Sequence, residues 1–130
     1  MTLHVTLSMA AAAVLINLWL GMRIGKLRSS LKISVGDGGN EQLARRMRAQ
    51  LNFAENVPLA LILFGLVELS GRGGAWLAPL GGLFLLGRVL HGLGMDGGSL
   101  AWGRSVGIMS SMLISLGLAI YAALVAAGVA

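Results

Sequence analysis

Residues 45–69 read RRMRAQLNFAENVPLALILFGLVEL, and the stretch changes character halfway. Its first half carries Arg45, Arg46, Arg48, Gln50, Asn52, Glu55 and Asn56; its second half, after Pro58, is apolar up to Glu68. Asn40 is a good N-cap, and Glu41 in the first turn suits a helix N-terminus. The pattern predicts one helix from about residue 40 to residue 69, with Pro58 bending it by removing a backbone donor. Arg48, Asn52 and Glu55 are spaced i, i+4 and i+7, which places them on one stripe, with Gln50 on roughly the opposite face. A helix that merely dissolves in lipid has no need of such a stripe, so its reason must lie in what surrounds it.

Those surroundings are strongly apolar. Of 130 residues, 56% are hydrophobic and 12% charged, and the mean hydropathy is +0.82. A soluble domain of this length cannot hide so much apolar surface, so the composition predicts a membrane protein. The absence of cysteine excludes disulfides, thiolate metal sites and cysteine nucleophiles. His4 and His91 lie far apart, and no metal-ligand spacing is present. The net charge of +5 does not point to nucleic acid, because Arg23, Lys26, Arg28, Lys32, Arg45, Arg46 and Arg48 all fall between two apolar runs. Such clustering follows the positive-inside rule and suits contact with anionic headgroups.

Four spans are expected, at about residues 3–22, 48–69, 76–93 and 105–128, in a single membrane domain. Arg23 ends the first span, and a polar cytoplasmic loop occupies about residues 23–40. MTLHVTLS lacks the basic region of a secretory signal, so the first apolar run is read as retained. Gly36-Asp37-Gly38-Gly39 reads as a flexible corner and not a phosphate cradle, since no Gly-Lys-Ser/Thr follows. SGRGG at 70–74 and GMDGGSLAWG at 94–103 read as turns. The glycine- and alanine-rich last span suits close packing in lipid. With the basic loop inside, both termini lie outside, and Arg48, Asn52, Glu55, Arg88, His91 and Arg104 converge at the cytoplasmic side.

Ionisable groups at membrane depth face a protein interior or a watered cavity. Guanidinium forks favour carboxylates, Glu55 accepts from an ammonium, and Asn52 both donates and accepts. The guest such a set suits is a small zwitterion or anion with carboxylates and amides; were it a thiol, an adjacent arginine would stabilise the thiolate. Plainer readings stand beside this one. Arg45-Arg46 is a topology determinant, Arg48 and Glu55 form a structural ion pair, Arg88 snorkels to the interface, and His91 is a packing residue. Trp19, Trp76 and Trp102 are interface anchors, and Tyr121 falls near the opposite side, outside the site.

RAQLNFAEN at 48–56, followed by Pro58, resembles the second-helix signature of the MAPEG family, the membrane-associated proteins in eicosanoid and glutathione metabolism. GDGGNEQLARRMRAQLNFAENVPLAL at 36–61 is similar to its small bacterial members, and GRVLHGLGM at 87–95 to a third-helix motif of the microsomal prostaglandin E synthases. The resemblance covers essentially the whole chain. It implies a four-helix membrane bundle, assembling as a homotrimer in a bacterial inner membrane, with glutathione bound between subunits near the cytosolic face. By position, Arg48, Asn52, Glu55, Arg88 and His91 would contact glutathione, Gln50 would add a contact from the neighbouring subunit, and Arg23 would bind a carboxylate. Arg104 would stabilise the thiolate, with Ser105 or His91 assisting. In one respect the chain departs from its relatives: Met95 stands where several of them carry a tyrosine, and a thioether donates no hydrogen bond.

Three functions follow as expectations. The first is a glutathione transferase or peroxidase acting on lipophilic electrophiles that arrive from the bilayer. The second, motivated by Met95, is a non-catalytic binding or assembly protein of the same fold. The third, a small four-span exporter, lacks the acid that proton coupling needs in the first span, whose interior polar residue is Asn17.

Overall fold

A computed structural model describes residues 2–130. Four α-helices follow one another: α1 (His4–Leu31), α2 (Glu41–Leu69), α3 (Leu77–Gly94) and α4 (Trp102–Ala126). A single 3-10 turn, Gly98–Leu100, precedes α4, and the described residues include no strand. All four helices are long and apolar enough to cross a membrane, so the chain is an all-α integral membrane protein.

The first helix overruns its expected end. Arg23 does not terminate it; α1 continues to Leu31 for 28 residues, or about 42 Å at the helical rise, against a hydrocarbon core of about 30 Å. The segment expected as a loop from residue 23 is therefore mostly helix, and the irregular part is confined to residues 32–40. The charges there mark the membrane boundary without breaking the backbone ladder. Termination comes from Lys32, which turns left-handed at φ 55°, while Arg28 donates to the carbonyls of Ile33 (3.3 Å) and Gly36 (2.7 Å). The corner takes the form its residues suggest: Asp37 Oδ1 accepts from the Gly39 amide at 2.9 Å, and Gly36, Gly38 and Gly39 all have positive φ.

The N-cap of α2 is Asn40, whose Oδ1 accepts from the Leu43 amide at 2.9 Å. From there α2 runs unbroken through Pro58 to Leu69. The buried side of the bundle gathers Met9, Ala13 and Leu20 from α1, Phe53, Val57, Ala60 and Phe64 from α2, Phe84 from α3 and Leu118 from α4. The opposite surfaces of α1 and α4 remain apolar and exposed, as at Leu15 (69%) and Leu113 (65%), which is what a lipid solvent requires.

The closest approach in the bundle is that of α3 to α4. A Cβ added to Gly94 would stand 2.1 Å from the Arg104 nitrogen, and one added to Gly107 would stand 2.3 Å from the Gly87 carbonyl oxygen. Only glycine lets the two backbones meet there, and this contact fixes where Arg104 sits in the first turn of α4. One end of the bundle holds Asp96 and the residue 32–40 corner; the other holds Glu68, the α2–α3 turn and the N-terminus of α1.

Candidate functional site

The most enclosed polar group is Arg88. It lies on the buried face of α3 with 3% of its surface exposed. Its Nε donates to Ser111 Oγ at 3.0 Å and its Nη2 to the Gly107 carbonyl at 2.9 Å, both on α4. Its Nη1 donates to Asn52 Oδ1 on α2. One guanidinium thus ties three helices, using the spread of donors that a planar fork supplies. The snorkelling reading of Arg88 fails because Gly107 opens its carbonyl to the side chain inside the bundle, so the charge is satisfied without reaching the interface.

His91, one turn further along α3, is also buried, at 4% exposure, and its imidazole makes no hydrogen bond among the described residues. The α3–α4 contact sets Gly107 against the His91 Cβ and Gly94 against the Arg104 backbone. Arg104 itself is exposed in the first turn of α4, and Ser105 beside it is exposed as well. Asn52 and Arg88, with Asn56 and Ser111, line a cleft of about 580 Å³ between α2 and α4, whose lining includes neither His91 nor Arg104.

The α2 stripe divides between two faces. Arg48 and Gln50, expected on opposite faces, both line a second cavity of about 830 Å³ between α1 and α2, together with Asn17 and Arg28. Gln50 Nε2 approaches Asn17 Oδ1 at 3.4 Å. A long arginine side chain can bend around the helix toward α1, whereas the short Asn52 side chain stays on the α3–α4 side. Glu55 is exposed and pairs with no described residue, so the Arg48–Glu55 ion pair does not form.

Arg23 sits in a different cluster. Its Nη2 donates to Asp96 Oδ2 and its Nη1 to the Gly92 carbonyl at 3.2 Å. Its guanidinium carbon also lies 5.0 Å from the Trp19 ring centroid. Arg46 joins through Nε to Asp96 Oδ1 at 3.2 Å and through Nη1 to the Arg23 carbonyl at 3.0 Å. Arg46 is therefore more than a topology determinant. The sequence reading missed Asp96, Arg46, Ser111 and the Gly107 carbonyl. For Asp96 a signal existed, since it is the sole acid between Glu68 and residue 130. Met95 is half-buried against the core.

Arginines thus fall into two kinds in this chain. Arg23, Arg46 and Arg88 are held by its own acceptors, while Arg48 and Arg104, with the acid Glu55, have no side-chain partner among the described residues. No group of histidine, aspartate and glutamate that could hold a metal occurs among those residues.

Known proteins resemble this arrangement along most of the chain. Inner membrane protein YecN of Escherichia coli strain K12 is 29% identical over 97 residues, covering 74% of this chain and 73% of the relative. The protein of the same name from Escherichia coli O6:H1 strain CFT073 matches to the same extent. The family model described as MAPEG family matches residues 6–124. A match of that length over all four helices shows that the chain belongs to the MAPEG family of membrane proteins.

Proposed function

We propose that this chain binds glutathione at an interface between its own copies and transfers the thiol to lipophilic electrophiles. One observation carries the reading: Glu55 is exposed and unpaired at membrane depth. Counting back from Leu69 at the helical rise, a hydrocarbon core of about 30 Å reaches to roughly residue 50. Glu55 lies inside that limit. An unpaired carboxylate facing acyl chains is strongly disfavoured, so a ligand, a second copy or both must cover that face.

The uncommitted groups suit the chemistry of glutathione. Arg48 offers a guanidinium to a carboxylate, and Glu55 accepts from the ammonium of the γ-glutamyl end. Asn52 and Arg88, already bonded to each other, form a rigid wall. Arg104 stands beside His91 as the cation for the thiolate, and opposite charge favours the ionised thiol. In the transfer step the thiolate sulfur forms a bond to the electrophilic carbon, and the electron pair of the broken bond leaves with the displaced group or epoxide oxygen. Arg23 is less suited to the carboxylate role that the resemblance gives it, because Asp96 and the Gly92 carbonyl already occupy its donors. Gln50 and Arg48 open on the α1 side of α2 and Asn52 on the α4 side, so two copies would each supply half of a closed site. A homotrimer, the assembly the resemblance implies, would meet that need.

Met95 supports a second reading. It packs against the core and offers no donor to a thiol, as a binding protein without turnover would allow. Calorimetric titration of glutathione into the detergent-solubilised protein tests both. Wild type is expected to bind, with Arg48→Ala and Glu55→Gln each weaker by about tenfold or more. Arg104→Ala is expected to keep binding while losing the ultraviolet absorbance of bound thiolate. Absence of glutathione binding by wild type refutes the proposal; binding without conjugation of any hydrophobic electrophile selects the second reading.

A further inference from the structure

At the Glu68 end, a groove of about 610 Å³ runs between α3 and α4. It lies away from every residue assigned above. Leu80 and Leu113 form its walls, and Gly117 leaves its floor open, with no atom within 4 Å of where a Cβ would stand. Trp76 and Tyr121 close its rim as an edge-to-face pair, ring centroids 5.3 Å apart. The Tyr121 hydroxyl donates to the Arg72 carbonyl at 3.1 Å, which holds the α2–α3 turn over the groove mouth. The Arg72 side chain is exposed and makes no hydrogen bond or ion pair among the described residues. Glu68, the acid near this turn, forms no ion pair with it; its carboxylate turns instead to the Val5 amide and to the amide and hydroxyl of Thr6.

We infer that this groove is a phospholipid site, with one acyl chain lying along Gly117 and the lipid phosphate on Arg72. Tryptophan and tyrosine concentrate at headgroup depth, which sets the rim at the right height. Below the rim the groove presents no unsatisfied polar group, so nothing in it demands a protein partner, unlike the face that carries Glu55. Above the rim Arg72 stands as a cation without an ion pair among the described residues. A single anionic phosphate over an apolar chain matches that pairing, and an arginine fork binds phosphate well.

The test uses the whole protein, extracted in mild detergent and reconstituted in nanodiscs of phosphatidylglycerol with dibrominated acyl chains. In a Trp19→Phe/Trp102→Phe background, Trp76 is the one indole left, and bromine quenches it on contact. Native mass spectrometry of the detergent-extracted protein counts retained phospholipid. Wild type is expected to keep one phospholipid per chain. Gly117→Leu, which fills open space on a helix and favours the helical backbone, is expected to lose it and to cut Trp76 quenching by half or more. Arg72→Ala is expected to lower retention by about tenfold, while Gly25→Leu, a control in open space on α1, leaves both readouts unchanged. Equal retention in wild type and Gly117→Leu overturns the inference. So does a wild type that carries no lipid, or a Gly117→Leu variant that changes only the oligomer size, which would assign the groove to a second copy.

Discussion

At one end of the bundle a single carboxylate, Asp96, holds guanidiniums from two different helices; at the other, a single carboxylate, Glu68, holds two backbone amides and a hydroxyl from the first turn of α1. The Glu68 arrangement is closed. The N-cap residue of α1, Leu3, has no side-chain oxygen, and Glu68 supplies the missing acceptor from α2, leaving that helix start satisfied. The Asp96 arrangement is open. One carboxylate against Arg23 and Arg46 leaves a surplus positive charge, and the unpaired Arg48 and Arg104 lie toward the same end. Helix joining alone needs no surplus. The difference separates an acid spent on closing a helix start from an acid outnumbered by the guanidiniums around it.

The comparison breaks most directly at Arg88, which joins three helices and belongs to the structural side of the division. Arg88→Met keeps the bulk but removes the bonds to Asn52 Oδ1, Ser111 Oγ and the Gly107 carbonyl. Interhelical hydrogen bonds in membranes are worth about 0.6 kcal/mol on average and up to about 1.7, so losing three, all donated by one buried charge, should cost about 3 kcal/mol. Unfolding in mixed detergent–SDS micelles measures it. A loss below about 1 kcal/mol would mean that Arg88 is held for a ligand and not for the fold.

Asp96→Asn comes next. Its partners are half-buried, with side-chain exposures of 16% for Arg23 and 19% for Arg46, so the cost falls between that of exposed and buried pairs, at about 2 kcal/mol. Glu68→Ala should cost about 1 kcal/mol, the usual value of a lost N-cap, and should raise amide exchange in the first turn of α1 alone. If the two acids cost the same and both loosen only α1, the contrast between the ends disappears.

What the sequence could and could not reveal follows the same division. The four helices were legible because apolar runs and glycine corners act locally: Asn40 caps α2 and GDGG turns the chain as their chemistry dictates. The end of α1 is not legible in the sequence, because Arg23 looks like a membrane boundary, and a boundary in the solvent is no obstacle to a helix. The pairing of Arg88 with Asn52 and Ser111 joins residues 36 and 23 positions apart, and no local pattern encodes which arginine finds which acceptor. Residue type narrowed the candidates to the polar side chains of the helices, but separating bonded arginines from free ones required the helix packing that Gly94, Gly103 and Gly107 permit.

The smallest effect on stability should come from Arg48→Ala, and that variant bears most directly on the meaning of the open end. Arg48 is exposed, its side chain forms no ion pair or hydrogen bond among the described residues, and it sits in a helix where alanine is the better former. Removing it should change the unfolding free energy by no more than about 0.5 kcal/mol. If the charges left over at the Asp96 end serve a ligand, the same substitution should weaken glutathione binding by about tenfold or more, the equivalent of about 1.4 kcal/mol. Stability and binding then separate: Arg88→Met damages the fold before the ligand, and Arg48→Ala the ligand without the fold. A variant at Arg48 that unfolds as readily as Arg88→Met, or that binds glutathione as wild type does, would show that free and bonded arginines are not two functional kinds.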